Sequence, residues 1–186
     1  MKNFNLTLLI KNICPPIIWK VLKNLKKEKK YFGLNSLDQK IQKYFDYQSG
    51  FYLEIGANNG IEQSNTFFLE KEKNWNGVLI EPILHKYLEC KKNRSNKNKF
   101  FCFACVSNDF KENFVELLYS NLMTIPLNLE SDIKKPLEHA SQSNAISKEH
   151  NNTELEDVKF IAKPRTMTSI LNESKAPPLI DFFSLD

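Results

Sequence analysis

Residues 51–60 read FYLEIGANNG, an apolar run that carries one carboxylate, Glu54, and then breaks into a turn with glycine at both ends. The chain has only five glycines, so two of them four residues apart mark a backbone that needs their freedom. Aromatic and β-branched residues followed by Gly predict a strand over Phe51–Ile55 that leaves the sheet through a turn at Gly56–Gly60. Downstream the pattern alternates. Ser64–Lys73 has helical character, Gly77–Ile80 (GVLI) is a second strand ending at Glu81-Pro82, Leu84–Asn93 is a second helix, and Lys99–Val106 is a third strand. Strands and helices alternating at this spacing imply βαβ units, a parallel sheet and helices on both faces. Such sheets bind ligands at the carboxyl ends of their strands.

The turn has a chemical meaning in that setting. A strand-to-helix turn with Gly at both ends lets the backbone approach a ligand closely. Twenty-one residues after Gly60, at the tip of the next strand, stands Glu81, where a carboxylate can accept from both hydroxyls of a ribose. The glycine pattern is G-x-x-x-G; neither G-x-G-x-x-G nor the Lys-Ser/Thr of a phosphate loop follows. This counts against a dinucleotide, a nucleotide sugar or ATP and suits a nucleoside without a pyrophosphate, S-adenosylmethionine. Glu54 then suits the ammonium group of the methionine part. Plainer readings stand beside these: Glu54 as a strand-end carboxylate held by backbone amides, Glu81 as a solvated loop acid, and Asn58 and Asn59 as turn residues that tolerate left-handed backbone.

Charge narrows the partners. Residues 1–30 hold eight Lys against one acid, Glu28, so the remaining residues hold 18 basic and 21 acidic side chains. The basic character belongs to the front of the chain, and the body lacks the footprint of a nucleic-acid binder. After Pro15-Pro16, apolar Ile17, Ile18, Val21, Leu22 and Leu25 alternate with Lys20, Lys23, Lys26 and Lys27. Residues 17–27 therefore read as a basic amphipathic helix, suited to peripheral contact with an anionic membrane, to a partner, or to packing on its own domain. No apolar stretch reaches the ~18–20 residues of a membrane span. Cys102 and Cys105 form a C-x-x-C within a strand, where residues three apart face opposite ways, so buried small hydrophobes are expected rather than a redox pair. No Cys/His pairs stand at zinc spacing and no metal is expected. The cysteine usage fits a reducing cytoplasm, and the helix fits the inner face of its membrane.

The segment FYLEIGANNGIEQSNTFFLEKEKNWNGVLIEP resembles the opening of the FkbM-type methyltransferases. The usual pattern there is E/D-I-G-A-N-D-G, then S-N-T, Leu-Glu, Trp-x-G and I-E-P. Here it stands as Glu54–Gly60, Ser64-Asn65-Thr66, Leu69-Glu70, Trp75-Asn76-Gly77 and Ile80-Glu81-Pro82, with Asn59 in place of the commoner Asp. Pro164-Arg165-Thr166 followed by Ile170-Leu171 resembles the segment before the family's fourth strand, and residues 180–186 resemble that strand, which in the family continues into Val-Glu-Gly.

The resemblance implies a Rossmann-like class I methyltransferase fold over residues 48–186, preceded by a basic helical arm over 1–47. It implies S-adenosylmethionine as cofactor and O-methylation of a hydroxyl on a small metabolite or glycan. By position, Glu54, Gly56, Ala57, Asn58 and Gly60 line the methionine side, Glu81 the ribose, and Ser107 and Asn108 the adenine. Asp186 faces the methyl-transfer region as a candidate base, with His85, His139 and His150 as lesser ones. Ser64 reads as a helix N-cap, Phe114–Tyr119 as an extra strand, and 128–157 as a polar loop. Because the family pattern runs on past the position of Asp186, the expectation is an incomplete domain, either a truncated enzyme or a non-catalytic cofactor-binding fragment.

Overall fold

The computed structural model describes residues 30–120, 124–127 and 158–185. The expected helix at 17–27, the polar loop at 128–157, His139, His150 and Asp186 lie outside them. The chain divides into two units, Met1–Tyr31 and Phe32–Asp186, and every helix and strand of the described residues belongs to the second.

In chain order that unit runs α1 (Leu37–Ile41), β1 (Phe51–Ile55), α2 (Phe67–Lys73), β2 (Asn76–Ile80), α3 (Leu84–Asn93), β3 (Lys99–Phe101), β4 (Ala104–Val106), β5 (Val115–Leu118), β6 (Ile125–Pro126), β7 (Lys159–Ala162), β8 (Pro164–Thr166), α4 (Met167–Ser174) and β9 (Phe182–Leu185). Short 3₁₀ turns, Leu34–Ser36 and Gln42–Tyr44, flank α1.

The central sheet has four strands in the order β3-β2-β1-β9, and every pair in it is parallel. β1 lies inside, with Glu54 opposite Leu79 on one side and Ser184 on the other. Alternation along β1 sends Tyr52 and Glu54 to one face and Leu53 to the other. On the Leu53 face, Leu53, Val78, Ile80 and Phe101 bury against Ile170 of α4, with Met167 and Leu171 packed around them. Each such side chain contributes about 1.5–3 kcal/mol when fully withdrawn from water. On the Tyr52 face, α2 buries Phe67, Phe68 and Leu69, and Tyr52 itself bonds to Glu70 of that helix. Helices thus lie on both faces; on the Tyr52 face the apolar side chains share the interior with Glu54 and Ser184, and at the β9 edge Phe183 and Leu185 stay exposed.

The expected third strand, Lys99–Val106, is interrupted at Cys102-Phe103. β3 pairs with β2, whereas β4 leaves the central sheet and pairs in parallel with β8. The cause lies in the neighbour. The last register pair is Ile80 with Phe101; Glu81 N still donates to Phe101 O at 3.0 Å, and Ile83 N, the next donor on that side, turns instead to the Glu81 carboxylate at 2.8 Å. The extra strand expected near Phe114–Tyr119 is present as β5, and it forms an antiparallel sheet with β6 and β7. Val115, Leu117 and Tyr119 bury against Ala104, Ala162 and Ile83, the residue preceding α3. This smaller core stands beside the carboxyl end of β2. Among the described residues no helix is long and apolar enough to cross a membrane.

Candidate functional site

β1 ends in the glycine turn. Gly56 and Gly60 both take positive φ, 78° and 80°, and Asn58 between them sits at 47°. The turn is tied to the next strand, because Gly56 N and Ala57 N both donate to Ile80 O, at 3.0 and 3.1 Å. Asn59 closes it locally, its Oδ1 accepting from Ile61 N and Glu62 N.

Glu81, one residue past β2, holds the same turn from the side. Its Oε2 accepts from Asn58 N and its Oε1 from Ile83 N, each at 2.8 Å. Burial raises its pKa, and the two backbone N–H groups and Lys86 only partly oppose that. A carboxylate has about four lone-pair positions, so two remain after these bonds. The Asn58 side chain is 8% exposed, yet neither its Nδ2 nor its Oδ1 finds a hydrogen-bond partner among the described residues. Leaving such a group unpaired costs about 1–3 kcal/mol. A turn that keeps an orphaned amide beside a half-used carboxylate fits a ligand bearing hydroxyls and polar nitrogen, as a nucleoside does.

Glu54 is placed differently. It is 1% exposed. Its Oε1 accepts from Ser64 Oγ at 2.9 Å and its Oε2 from Thr66 Oγ1 at 2.7 Å. Arg94 Nη1 approaches Oε2 at 3.4 Å. Arg94 follows α3 and is 4% exposed. Its Nη1 also donates to Gly60 O at 2.8 Å and Ser64 Oγ at 3.1 Å. Nη2 donates to Tyr52 Oη at 2.7 Å and Thr66 Oγ1 at 2.8 Å, and Nε to Glu70 Oε2 at 2.8 Å. Asn98 completes the cluster by donating to Glu70 and accepting from Gly77 N.

Burial works against charge on Glu70, but Arg94, Ser95 and Asn98 together hold its carboxyl below the ordinary value. Burial opposes charge on Arg94 too, while Tyr52, Glu54 and Glu70 keep its pKa above the usual arginine value. Burial pushes the Tyr52 phenol well up despite the nearby guanidinium. Gly60 is the point where this network meets the turn. A Cβ there would lie 2.8 Å from Arg94 Cγ and 2.9 Å from Cys90 Sγ.

Ser64 has two roles. The N-cap position of α2 is Thr66, whose side chain makes no capping bond, and not the expected Ser64; the Ser64 hydroxyl, two residues earlier, accepts from Phe67 N at 3.1 Å and donates to Glu54. The structure therefore brings Gly56, Ala57, Asn58, Gly60 and Glu81 to one turn and places Glu54 directly beneath it. Ser107 and Asn108 are exposed after β4. His85 Nε2 lies 3.4 Å from Tyr119 Oη, and burial lowers its pKa. Among the described residues no group of three or more His, Cys, Asp or Glu gathers as a metal ion would need.

Arg94 and Asn98 escaped the sequence reading. Arg94 sits in KKNRSNKNK, where it looks like one more basic residue at a helix end. The available signal was scarcity: only Arg94 and Arg165 are arginine among 26 basic residues. The guanidinium fork suits buried multidentate bonding in a way that the ammonium of lysine does not.

The family model for the methyltransferase FkbM domain matches residues 54–186. No curated protein and no solved structure matches the chain.

Proposed function

The chain belongs to the FkbM methyltransferase family, and from that premise we propose that it uses S-adenosylmethionine to methylate a hydroxyl of a small metabolite or glycan. The observation that carries the cofactor assignment is Glu81 with two backbone N–H bonds and two lone-pair positions left, next to the orphaned Asn58 amide. The free positions of Glu81 accept the ribose hydroxyls. The Asn58 side chain gains a partner in the nucleoside and gives up the cost of its isolation. Gly56 leaves the turn without a Cβ where it follows β1, and Gly60 spares the turn a clash with Arg94 and Cys90 underneath it.

When bound, the cofactor supplies a sulfonium methyl that needs no further activation. The work of the chain is to align it with the acceptor oxygen, which is the larger part of such catalysis. Arg94 fixes the Gly60 end of the turn and, through Ser64 and Thr66, the segment that follows. The turn is therefore tied from inside the protein by bonds that need no ligand. The expected base, Asp186, lies outside the described residues, and base assistance in general is worth ~10²–10⁴-fold.

Calorimetric titration with S-adenosylhomocysteine, with Glu81→Ala beside the native chain, tests the reading. Binding by the native chain that is lost in a folded variant supports it. A folded native chain that gives no binding heat overturns it.

A further inference from the structure

The sequence assigns the ammonium of the cofactor's methionine part to Glu54. The structure leaves that carboxylate sealed under the turn, bonded to Ser64 and Thr66 and faced by the Arg94 charge. An amino-acid end needs a different place, with an acceptor for its ammonium and a cation for its carboxylate.

A cavity of about 290 Å³ supplies both. It is lined by Leu34, Asn35, Leu37, Lys40, Gln63 and Asn65, a volume at the lower end for ligand sites and suited to an amino-acid tail more than to a whole nucleoside. Its location is fixed by Asn65, whose Nδ2 donates to Ser184 Oγ at 3.1 Å. Ser184 pairs with Glu54 in the β1–β9 ladder, while Glu81 follows Ile80, which pairs with Ile55 on the other side of β1. The cavity and the ribose acid are therefore two strand spacings apart, roughly 10 Å at about 4.8 Å each. That is the reach of an extended nucleoside with a four-carbon amino-acid tail.

The wall chemistry agrees. Asn65 is 7% exposed, its Nδ2 is committed to Ser184, and its Oδ1 has no hydrogen-bond partner among the described residues. An amide oxygen in that state lacks a donor, and an ammonium has three. Lys40 supplies the opposite charge for a carboxylate, and Leu34 and Leu37 present apolar surface to methylene carbons. The wall is held in demanding geometry. Asn35, Ser36 and Gln63 all take left-handed backbone, each at a cost of about 1–3 kcal/mol. Gly33 bridges to Gln63, and a Cβ at position 33 would come within 2.7 Å of Asn65 Oδ1.

We infer that this cavity is the subsite for the amino-acid end of the cofactor, with Asn65 Oδ1 accepting from the ammonium and Lys40 pairing with the carboxylate. The inference rests on the cofactor reading above and replaces Glu54 in the role that the sequence gave it.

Two ligands separate the parts. S-Adenosylhomocysteine carries the amino-acid end; 5′-methylthioadenosine has the same nucleoside and sulfur without it. Both are titrated calorimetrically into the full chain and into Lys40→Ala, an exposed position whose change leaves the fold alone. The expected result is that Lys40→Ala weakens S-adenosylhomocysteine about fivefold, the upper end for a partly exposed ion pair, and leaves methylthioadenosine unchanged, with Lys40→Arg restoring the difference. Equal affinities for native chain and Lys40→Ala, or equal weakening of both ligands, overturn the subsite and leave the cofactor reading standing. Failure of both ligands to bind the native chain overturns the cofactor reading itself, and the subsite with it.

Discussion

The Arg94 guanidinium donates to the backbone carbonyl of Gly60 at 2.8 Å, so the second glycine of the turn is held from inside the protein by a side chain 34 residues further along. The same guanidinium faces Glu54 and Glu70. One cation therefore serves two carboxylates that are withdrawn from water. Removing it leaves both uncompensated, and breaking a buried pair from one side costs about 3–5 kcal/mol. Arg94→Ala is expected to lower the unfolding free energy by about that amount in urea titration. Arg94→Lys should recover only part of it, because an ammonium cannot reach Gly60, Tyr52 and Glu70 from one fork.

Gly60 faces a second constraint. Its φ of +80° is costly for any residue with a Cβ, by about 1–2 kcal/mol, and the added methyl would meet Arg94 Cγ and Cys90 Sγ inside 3 Å. Gly60→Ala is expected to lower the melting temperature by more than the backbone term alone. The excess belongs to the contact, so Gly60→Ala should cost less in a Cys90→Ala background than in the native chain. A double-mutant cycle followed by thermal melts reads this directly. Additive losses would mean that the thiol gives way freely.

The Cys90 thiol is pushed up to about 12 by burial, against the pull of Arg94 and with Glu54, Glu81 and Glu70 adding to the rise. At neutral pH it is a thiol and not a nucleophile. Maleimide labelling of the native chain followed by peptide mapping should leave Cys90 unmodified, and modification should appear only under denaturant. Rapid native labelling at Cys90 would show that the packing beneath the turn opens on the labelling timescale.

What the sequence made legible follows from local physics. β1 and α3 take the bounds that apolar runs and breakers assign them, and Glu81 lands at the strand tip because strand length and turn length leave it nowhere else. Where the reading fell short, the deciding interaction was remote. The break at Cys102-Phe103 falls where Ile83 N on the neighbouring segment turns to the Glu81 carboxylate instead of the ladder, and β7 at Lys159–Ala162 takes its ladder from β5. Glu54 shows the same limit more sharply. Its position at the end of β1 was readable, but its partners Ser64, Thr66 and Arg94 lie 10, 12 and 40 residues away. No pattern around Glu54 distinguishes a ligand-facing acid from a sealed one.

Glu81 makes cofactor binding depend on pH. Burial raises its folded pKa above the ordinary carboxylate value. The sign for stability is the reverse of a salt-bridged acid: the contribution of Glu81 is present in acid and is lost as pH rises through the folded value. For binding, the ionised form is the one that offers acceptors to ribose hydroxyls. Affinity for S-adenosylhomocysteine is therefore expected to fall on acidification, starting at a pH above the usual carboxylate range. Calorimetry across a pH series should show it, and Glu81→Gln should flatten the profile at low affinity. A profile that breaks only in the ordinary carboxylate range would mean that Glu81 is more solvated than its burial indicates.

The edge of the sheet has its own clasp. Tyr47 Oη donates to Asp181 Oδ1 at 2.8 Å, and Asp181 Oδ2 accepts from Phe51 N at 2.8 Å. Asp181 N returns a bond to Phe51 O at 2.9 Å, so the approach to β1 and the approach to β9 are bound together at one acid. Burial, then the bond to Asp181 and its charge, push the Tyr47 phenol up to about 12. A raised folded pKa means that this contribution is complete below the ordinary tyrosine value near 10 and is lost between there and about 12. Stability measured by urea titration should therefore drop more steeply with rising pH in that window for the native chain than for Tyr47→Phe, which lacks the proton. Asp181→Asn should bring the Tyr47 ionisation, read from phenolate absorbance against the Tyr47→Phe blank, back toward 10. If Tyr47 already ionises near 10 in the native chain, the hydroxyl does not hold Asp181 in solution, and the β9 edge depends on the Asp181–Phe51 bonds alone.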